Sequence, residues 1–172
     1  GRVKNALHWM AVKGANWKHP YGPDTFIDEH NFDHPAVHIS YKDAEEYCAW
    51  ATGTSVTEGT SAEYRLPTER EWEYAARGGL VNKTYPWGDD APKREQNPNM
   101  NVWHSEKDQF PDKNDVSFDK YYGLAPTRSY TANGYGVYNM VGNVWEWVLG
   151  GKPDQRILRG GSFIDSVDGS FN

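Results

Sequence analysis

Gly134-Tyr135-Gly136-Val137-Tyr138-Asn139-Met140-Val141-Gly142-Asn143-Val144-Trp145-Glu146-Trp147 is the stretch on which the fold turns. Its tyrosines and tryptophans carry large apolar area with a polar edge, and its glycines free the backbone to curl. The segment can therefore be a packed aromatic turn in which Glu146 meets an arginine. It can equally bring the oxygens of Asn139, Gly142, Asn143 and Glu146 onto one hard cation, since calcium takes six to eight such oxygens, backbone carbonyls among them. Spacing alone leaves both open.

The rest of the chain carries the same aromatic character. Among 172 residues are eight Trp, 11 Tyr and six Phe, so 15% of the chain is aromatic while only 37% is hydrophobic. Disordered chains lack aromatics, and the rings must supply the core of a single domain. With 24 acidic against 18 basic side chains the net charge is -6 and no basic run occurs, which argues against a nucleic-acid partner. No apolar run is long enough for a membrane span, and no signal-type apolar core follows Gly1-Arg2-Val3-Lys4. A single cysteine, Cys48, cannot close an internal disulfide and by count alone suits either a reducing, cytosolic compartment or a thiol whose partner is missing.

Two helices announce themselves. Ser40, with Asp43 three residues on, opens one to about Trp50, with Ala44, Tyr47 and Cys48 on one face. Thr68 and Glu71 form a capping box for the second, Trp72, Ala75 and Ala76 its buried stripe, and Gly78-Gly79 closes it. The Thr-, Ser- and Gly-rich segment 52–63 reads as a mobile surface loop, and the alternation of 34–39 suits a short strand. Beyond the second helix, turn signals recur at short intervals, giving an α+β domain with little regular secondary structure.

Outside the opening stretch the chemistry is sparse. His34 and His38 could share a face, but Pro35 opposes a helix and no third ligand is in sight, so the pair is read as non-metal. Asp43, Glu45 and Glu46 are the acidic first turn of a helix. The segment 101–121, with Asp112, Asp115 and Asp119, is by itself only an acidic loop.

Ordered blocks along most of residues 12–165 go further: Val12 to Trp17, His34-Pro35, Ala44 to Trp50, Arg65-Leu66-Pro67-Thr68-Glu69, Glu71 to Tyr74, Arg77-Gly78-Gly79, Pro86-Trp87-Gly88, Asn139 to Trp147 and Arg159-Gly160-Gly161-Ser162. In this order they resemble the sulfatase-modifying factor family, that of formylglycine-generating enzyme. The resemblance implies a variant of the C-type-lectin-like α+β fold. In the active enzymes two cysteines follow the Gly-Gly-Ser block and hold copper(I), a soft ion that prefers thiolates, while oxygen turns a sulfatase cysteine into formylglycine. Ser162 is retained here, but the matching cysteine positions are Asp165 and Ser170. That pattern is similar to sulfatase-modifying factor 2, the family's inactive paralogue.

The resemblance therefore implies a catalytically silent protein, with copper not expected, that binds sulfatase-like peptides or a family paralogue in the endoplasmic reticulum lumen or outside the cell. It implies up to two structural calcium sites. One falls on Asn139, Met140, Gly142, Val144 and Glu146, the other on Asn101, Val102, Asp119 and Tyr121, with Asp112 or Asp115 as alternative carboxylates. It implies a disulfide from Cys48 to a cysteine beyond the chain end, a domain spanning 1–172 that is incomplete at both ends, and a glycan on Asn82 of the Asn82-Lys83-Thr84 sequon. Two alternatives stand beside it: an active copper-dependent oxidase, and an extracellular lectin-like module. The sugar-contact motifs Glu-Pro-Asn and Gln-Pro-Asp are absent from the sequence.

Overall fold

The computed structural model describes residues 2–3, 6–92, 99–102 and 120–165. In order these give β1 (Arg2–Val3), β2 (Ala6–Met10), α1 (Tyr41–Thr57), α2 (Glu69–Arg77), β3 (Glu146–Lys152) and β4 (Gln155–Arg159). β1 and β2 form one antiparallel pair and β3 and β4 another, so the described residues contain two small sheets and two helices joined by long irregular segments. This is the expected α+β architecture with little regular secondary structure.

Both helix starts follow the sequence. Ser40 accepts from the Asp43 amide while the Asp43 carboxylate accepts from the Ser40 amide, and Thr68 and Glu71 do the same at α2. Glu71 also anchors the segment ahead of the helix, since its two oxygens accept from Arg65 Nη1 and Nη2, each at 2.8 Å. α2 ends at Gly78, whose φ of 56° and ψ of 30° are left-handed. A side chain there would also collide with Asn133, whose Nδ2 donates to Ala75 O at 2.7 Å and Ala76 O at 3.1 Å. Gly78 is thus required twice over, by its conformation and by the asparagine that caps the helix from 57 residues away.

Two local expectations fail. α1 continues seven residues beyond Trp50, because the hydroxyls of its Thr-rich end bond inward: Thr52 Oγ1 donates to Cys48 O at 3.0 Å and Thr54 Oγ1 to Trp50 O at 3.1 Å. Ser55 is buried, shares a 2.6 Å hydrogen bond with Thr60 and accepts from the Ala62 amide, so the surface-loop reading of 52–63 is replaced by a helix end with a hydroxyl-tied return. No strand forms at 34–39 either. Pro35 lacks a ladder donor and His38 is left-handed at φ 57°, with its Nε2 2.8 Å from Pro20 O.

The core lies where α2 meets the β3–β4 hairpin. Trp72, Ala76, Met140 and Val148 form it, with Val137 and Ile157 packed on the outside. β3 pairs with β4 through Glu146 with Arg159, Trp147 with Leu158 and Val148 with Ile157. Leu149 N donates to Pro67 O at 2.7 Å, tying the entry of α2 to β3. The core is thus assembled from one helix face, one hairpin and the turn that leads into it.

The α2 cap makes an acid-sensitive contribution. Hydrogen bonds from Arg65 and then from Thr68 hold the Glu71 carboxyl down from its ordinary 4.5 to about 2. Its stabilisation is complete above 4.5 and is lost as the pH falls toward 2. Glu71→Gln is expected to lower the melting temperature at pH 7 and to flatten its decline below pH 4.5, while Thr68→Ala costs about 1 kcal/mol at pH 7 in urea unfolding.

Candidate functional site

The opening stretch folds as an irregular turn that enters β3, and its backbone is unusual. Asn139 and Asn143 both adopt left-handed φ, 53° and 66°, conformations that asparagine tolerates better than most residues. They take different jobs. Asn143, 2% exposed, is a buried hub: its Oδ1 accepts from Ala125 N at 2.9 Å and Asn101 Nδ2 at 3.0 Å, and its Nδ2 donates to Ala125 O at 3.1 Å. Its backbone joins in, donating to Asn101 O at 2.7 Å and accepting from Phe163 N at 3.0 Å. Asn143 therefore belongs to a structural network, not to a free set of cation oxygens.

Asn139 is left with something to give. Its Nδ2 donates to Pro126 O at 3.2 Å, but its Oδ1 is buried without a hydrogen-bond partner. An acceptor so placed costs about 1–3 kcal/mol unless something satisfies it. Gly160 leaves a methyl-sized gap beside Trp72. A Cβ built on it would meet Trp72 Cζ2 at 3.3 Å, Met140 O at 3.7 Å and Val144 O at 3.8 Å, so two backbone carbonyls converge on a point no side chain fills. Trp72 also donates its Nε1 to Glu146 Oε2 at 2.7 Å. Glu146 thus meets an indole and not an arginine, and burial, offset in part by that hydrogen bond, raises its carboxyl above the ordinary range. Arg159, the residue paired with Glu146 across the strands, pairs instead with Glu69 at 3.2 Å.

A second feature adjoins it. Ser162 and Asp165 are both buried, and Asp165 Oδ2 accepts from Ser162 N at 2.5 Å and from Ser162 Oγ at 2.9 Å. Asp165 lines a cleft of about 150 Å³ with Tyr85, Met100, Val102, Trp145 and Gly161 among its walls.

A family model described as the sulfatase-modifying factor enzyme 1-like domain matches residues 2–171. The chain belongs to this family. It is 41% identical over 99% of its length to a bovine (Bos taurus) protein named inactive C-alpha-formylglycine-generating enzyme 2, and 46% identical over 84% of its length to the formylglycine-generating enzyme of Mus musculus. It spans about half the length of the first and a third of the second, 52% and 34%. Among solved structures it is similar to PvdO from Pseudomonas aeruginosa, with a TM-score of 0.55 and 25% identity over 78% of this chain and 52% of that one.

Set against the sulfatase-modifying factor family, the two halves of the site fare differently. At Asp165 the donor is a hard carboxylate already engaged by Ser162, which does not fit copper(I); Ser170 lies outside the described residues. By donor type the other set fits a hard cation: Asn139 offers an orphaned amide oxygen, Met140 and Val144 two carbonyls that converge beside Gly160, and Glu146 a half-buried carboxylate. The second family set is only partly described. Asn101 is buried and donates its Nδ2 to Gly123 O at 2.7 Å, Val102 is buried, and Tyr121 OH accepts from Ser129 Oγ at 3.1 Å; Asp112, Asp115 and Asp119 lie outside the described residues.

The remaining sequence candidates lie apart. His34 faces Asp33 at 3.2 Å, and among the described residues no three His, Cys, Asp or Glu side chains group as metal ligands. Cys48 is a half-buried free thiol on α1, and Asn82 sits exposed in a turn at φ 54°. Sequence reasoning missed the indole of Trp72 and the gap at Gly160; the Trp-x-x-x-Ala stripe signalled burial of the ring but not the partner of its nitrogen. Asn143→Ala is expected to cost at least about 3 kcal/mol in urea unfolding, since it takes the side-chain partner from the Ala125 amide and carbonyl, removes one of the two acceptors of Asn101 Nδ2 and leaves a left-handed alanine.

Proposed function

We propose that this chain is a catalytically silent, calcium-binding member of the sulfatase-modifying factor family that holds extended peptide, from a sulfatase-like protein or a family paralogue, in the endoplasmic reticulum lumen or outside the cell. The observation that carries the silent reading is Asp165, a carboxylate standing at a copper-ligand position and engaged by both the amide and the hydroxyl of Ser162. Oxidising a thiol with oxygen at such a site needs thiolates to hold the soft ion, and a hydrogen-bonded carboxylate is a poor substitute. Similarity to the bovine protein named inactive supports the same reading.

Asn139 Oδ1, the carbonyls of Met140, Gly142 and Val144, and the Glu146 carboxylate would hold calcium, whose positive charge offsets that half-buried carboxylate. Asn101, Val102, Asp119 and Tyr121 would form the second, equally structural set. A site with one carboxylate among neutral oxygens is weakly charged and belongs with those of roughly 10⁻⁴–10⁻³ M affinity, a range suited to extracellular modules. The exposed sequon at Asn82 supports a secretory location.

Two experiments test this. Incubated with a Cys-x-Pro-x-Arg peptide, copper(I) and oxygen, the protein is expected to yield no formylglycine by mass spectrometry; conversion at the rate of an active family member refutes silence. Glu146→Gln is expected to lower the melting temperature by several degrees in millimolar calcium, yet leave it unchanged or raised in chelator. The sign follows from burial: with its carboxyl raised above 4.5, uncompensated Glu146 costs stability as the pH rises through that value and nothing below it. Equal loss in calcium and chelator would refute the ion.

A further inference from the structure

A second cleft, of about 290 Å³, runs between the outer face of α1 and the segment that returns from its end. Tyr47, Trp50, Thr54 and Glu58 lie along it at intervals of three and four residues, one stripe of the helix, and Tyr64 lines it from the return. Its lining shares no residue with the cleft beside Ser162. The return is fastened to the helix, since Tyr64 N donates to Thr52 Oγ1 at 2.9 Å and Ala62 N donates to Ser55 Oγ. Both walls are therefore pre-formed. All three rings are more than half exposed, and those of Tyr47 and Trp50 touch with centroids 5.5 Å apart.

The hydroxyls of the cleft have spent their protons inward. Thr60 Oγ1 donates to Ser55 O at 3.2 Å, so the 2.6 Å bond between the two hydroxyls takes the proton of Ser55, while Thr54 Oγ1 donates to Trp50 O. Only lone pairs are left to face a ligand. Glu58 adds a carboxylate as the C-cap of α1, at the negative end of the helix and after a last turn that holds no basic residue. A carboxylate there works against its own helix, and among the described residues no basic side chain lines the cleft. A saccharide needs donors as well as acceptors, and these hydroxyls supply none. A cation needs ring faces and a negative charge, and both are present.

We propose that this cleft binds a small quaternary ammonium compound, its methylated head packed on Tyr47, Trp50 and Tyr64 and its charge met by Glu58. A trimethylammonium head has no N–H to satisfy and presents its charge through methyl groups, so ring faces and one carboxylate suffice. A primary ammonium is strongly hydrated, and this cleft offers little to replace that water. The cleft stands at the small end of ligand sites, which begin at roughly 300 Å³. This site lies outside the calcium and peptide reading above and does not rest on it.

Calorimetry with choline, its neutral isostere 3,3-dimethyl-1-butanol, ethanolamine and methyl glucoside tests it. Choline is expected to bind at least about fivefold more tightly than the neutral isostere and than ethanolamine, with no saturable heat from the glucoside. Glycerophosphocholine binding as tightly as choline would show that a lipid-derived head is accepted, and weaker binding that the free cation is preferred; either supports the site. Trp50→Leu, at an exposed position, is expected to weaken choline binding at least about fivefold without lowering the melting temperature. Glu58→Gln is expected to erase the preference for choline over its neutral isostere while leaving the melting temperature unchanged or raised, because it removes a negative charge from the helix C-terminus. A site that merely held the helix end together would lose stability in that variant. No saturable choline binding, equal binding of the neutral isostere, preference for the glucoside, or choline binding that survives both substitutions overturns the proposal.

Discussion

The hydrogen bond from Trp72 Nε1 to Glu146 Oε2 is the constraint on which the described fold depends. It joins residues 74 apart in sequence and does so at the point where α2, the aromatic turn and the β3–β4 hairpin meet. Burying a tryptophan is favourable only if its N–H finds an acceptor, and burying a glutamate is tolerable only if its charge finds a donor or a cation. Each solves part of the other's difficulty. The helix cap, the Gly160 turn and the pairing of Glu146 with Arg159 all serve to hold the two in place.

One donor does not fully satisfy a carboxylate, and the surroundings of Glu146 are arranged as though more were to come. Asn139 keeps an amide oxygen buried and unpaired, and Met140 and Val144 aim carbonyls at the gap over Gly160. All of this oxygen is hard. A few residues beyond Gly160, Asp165 is hard as well, and the two centres share the segment from Gly160 to Ser162. The chemistry on offer along this edge is that of oxygens meeting charge, which suits structure and recognition better than the handling of a soft redox metal.

Much of this was legible in the sequence, and the failures have physical causes. Capping boxes and Gly78 were readable because they are local, each satisfied within a few residues. The family resemblance supplied the fold and named Asp165 as the changed position. The hydroxyl-rich end of α1 misled because Thr and Ser promote loops when their hydroxyls compete with the backbone, whereas here Thr52 and Thr54 bond back to their own helix. His34 to Ile39 alternates like a strand, yet it pairs with no neighbouring strand among the described residues and His38 turns left-handed. The roles of Asn139 and Asn143, four residues apart and alike in conformation, could not be separated without the positions of Ala125 and Pro126.

The most direct measurement is terbium luminescence, since terbium substitutes for calcium among hard oxygens and Trp72 lies beside the gap at Gly160. Excitation of the tryptophans is expected to give sensitised terbium emission that calcium displaces and that Glu146→Gln abolishes. Absence of sensitised emission, or emission that neither excess calcium nor Glu146→Gln diminishes, would contradict a cation held at the Trp72–Glu146 junction.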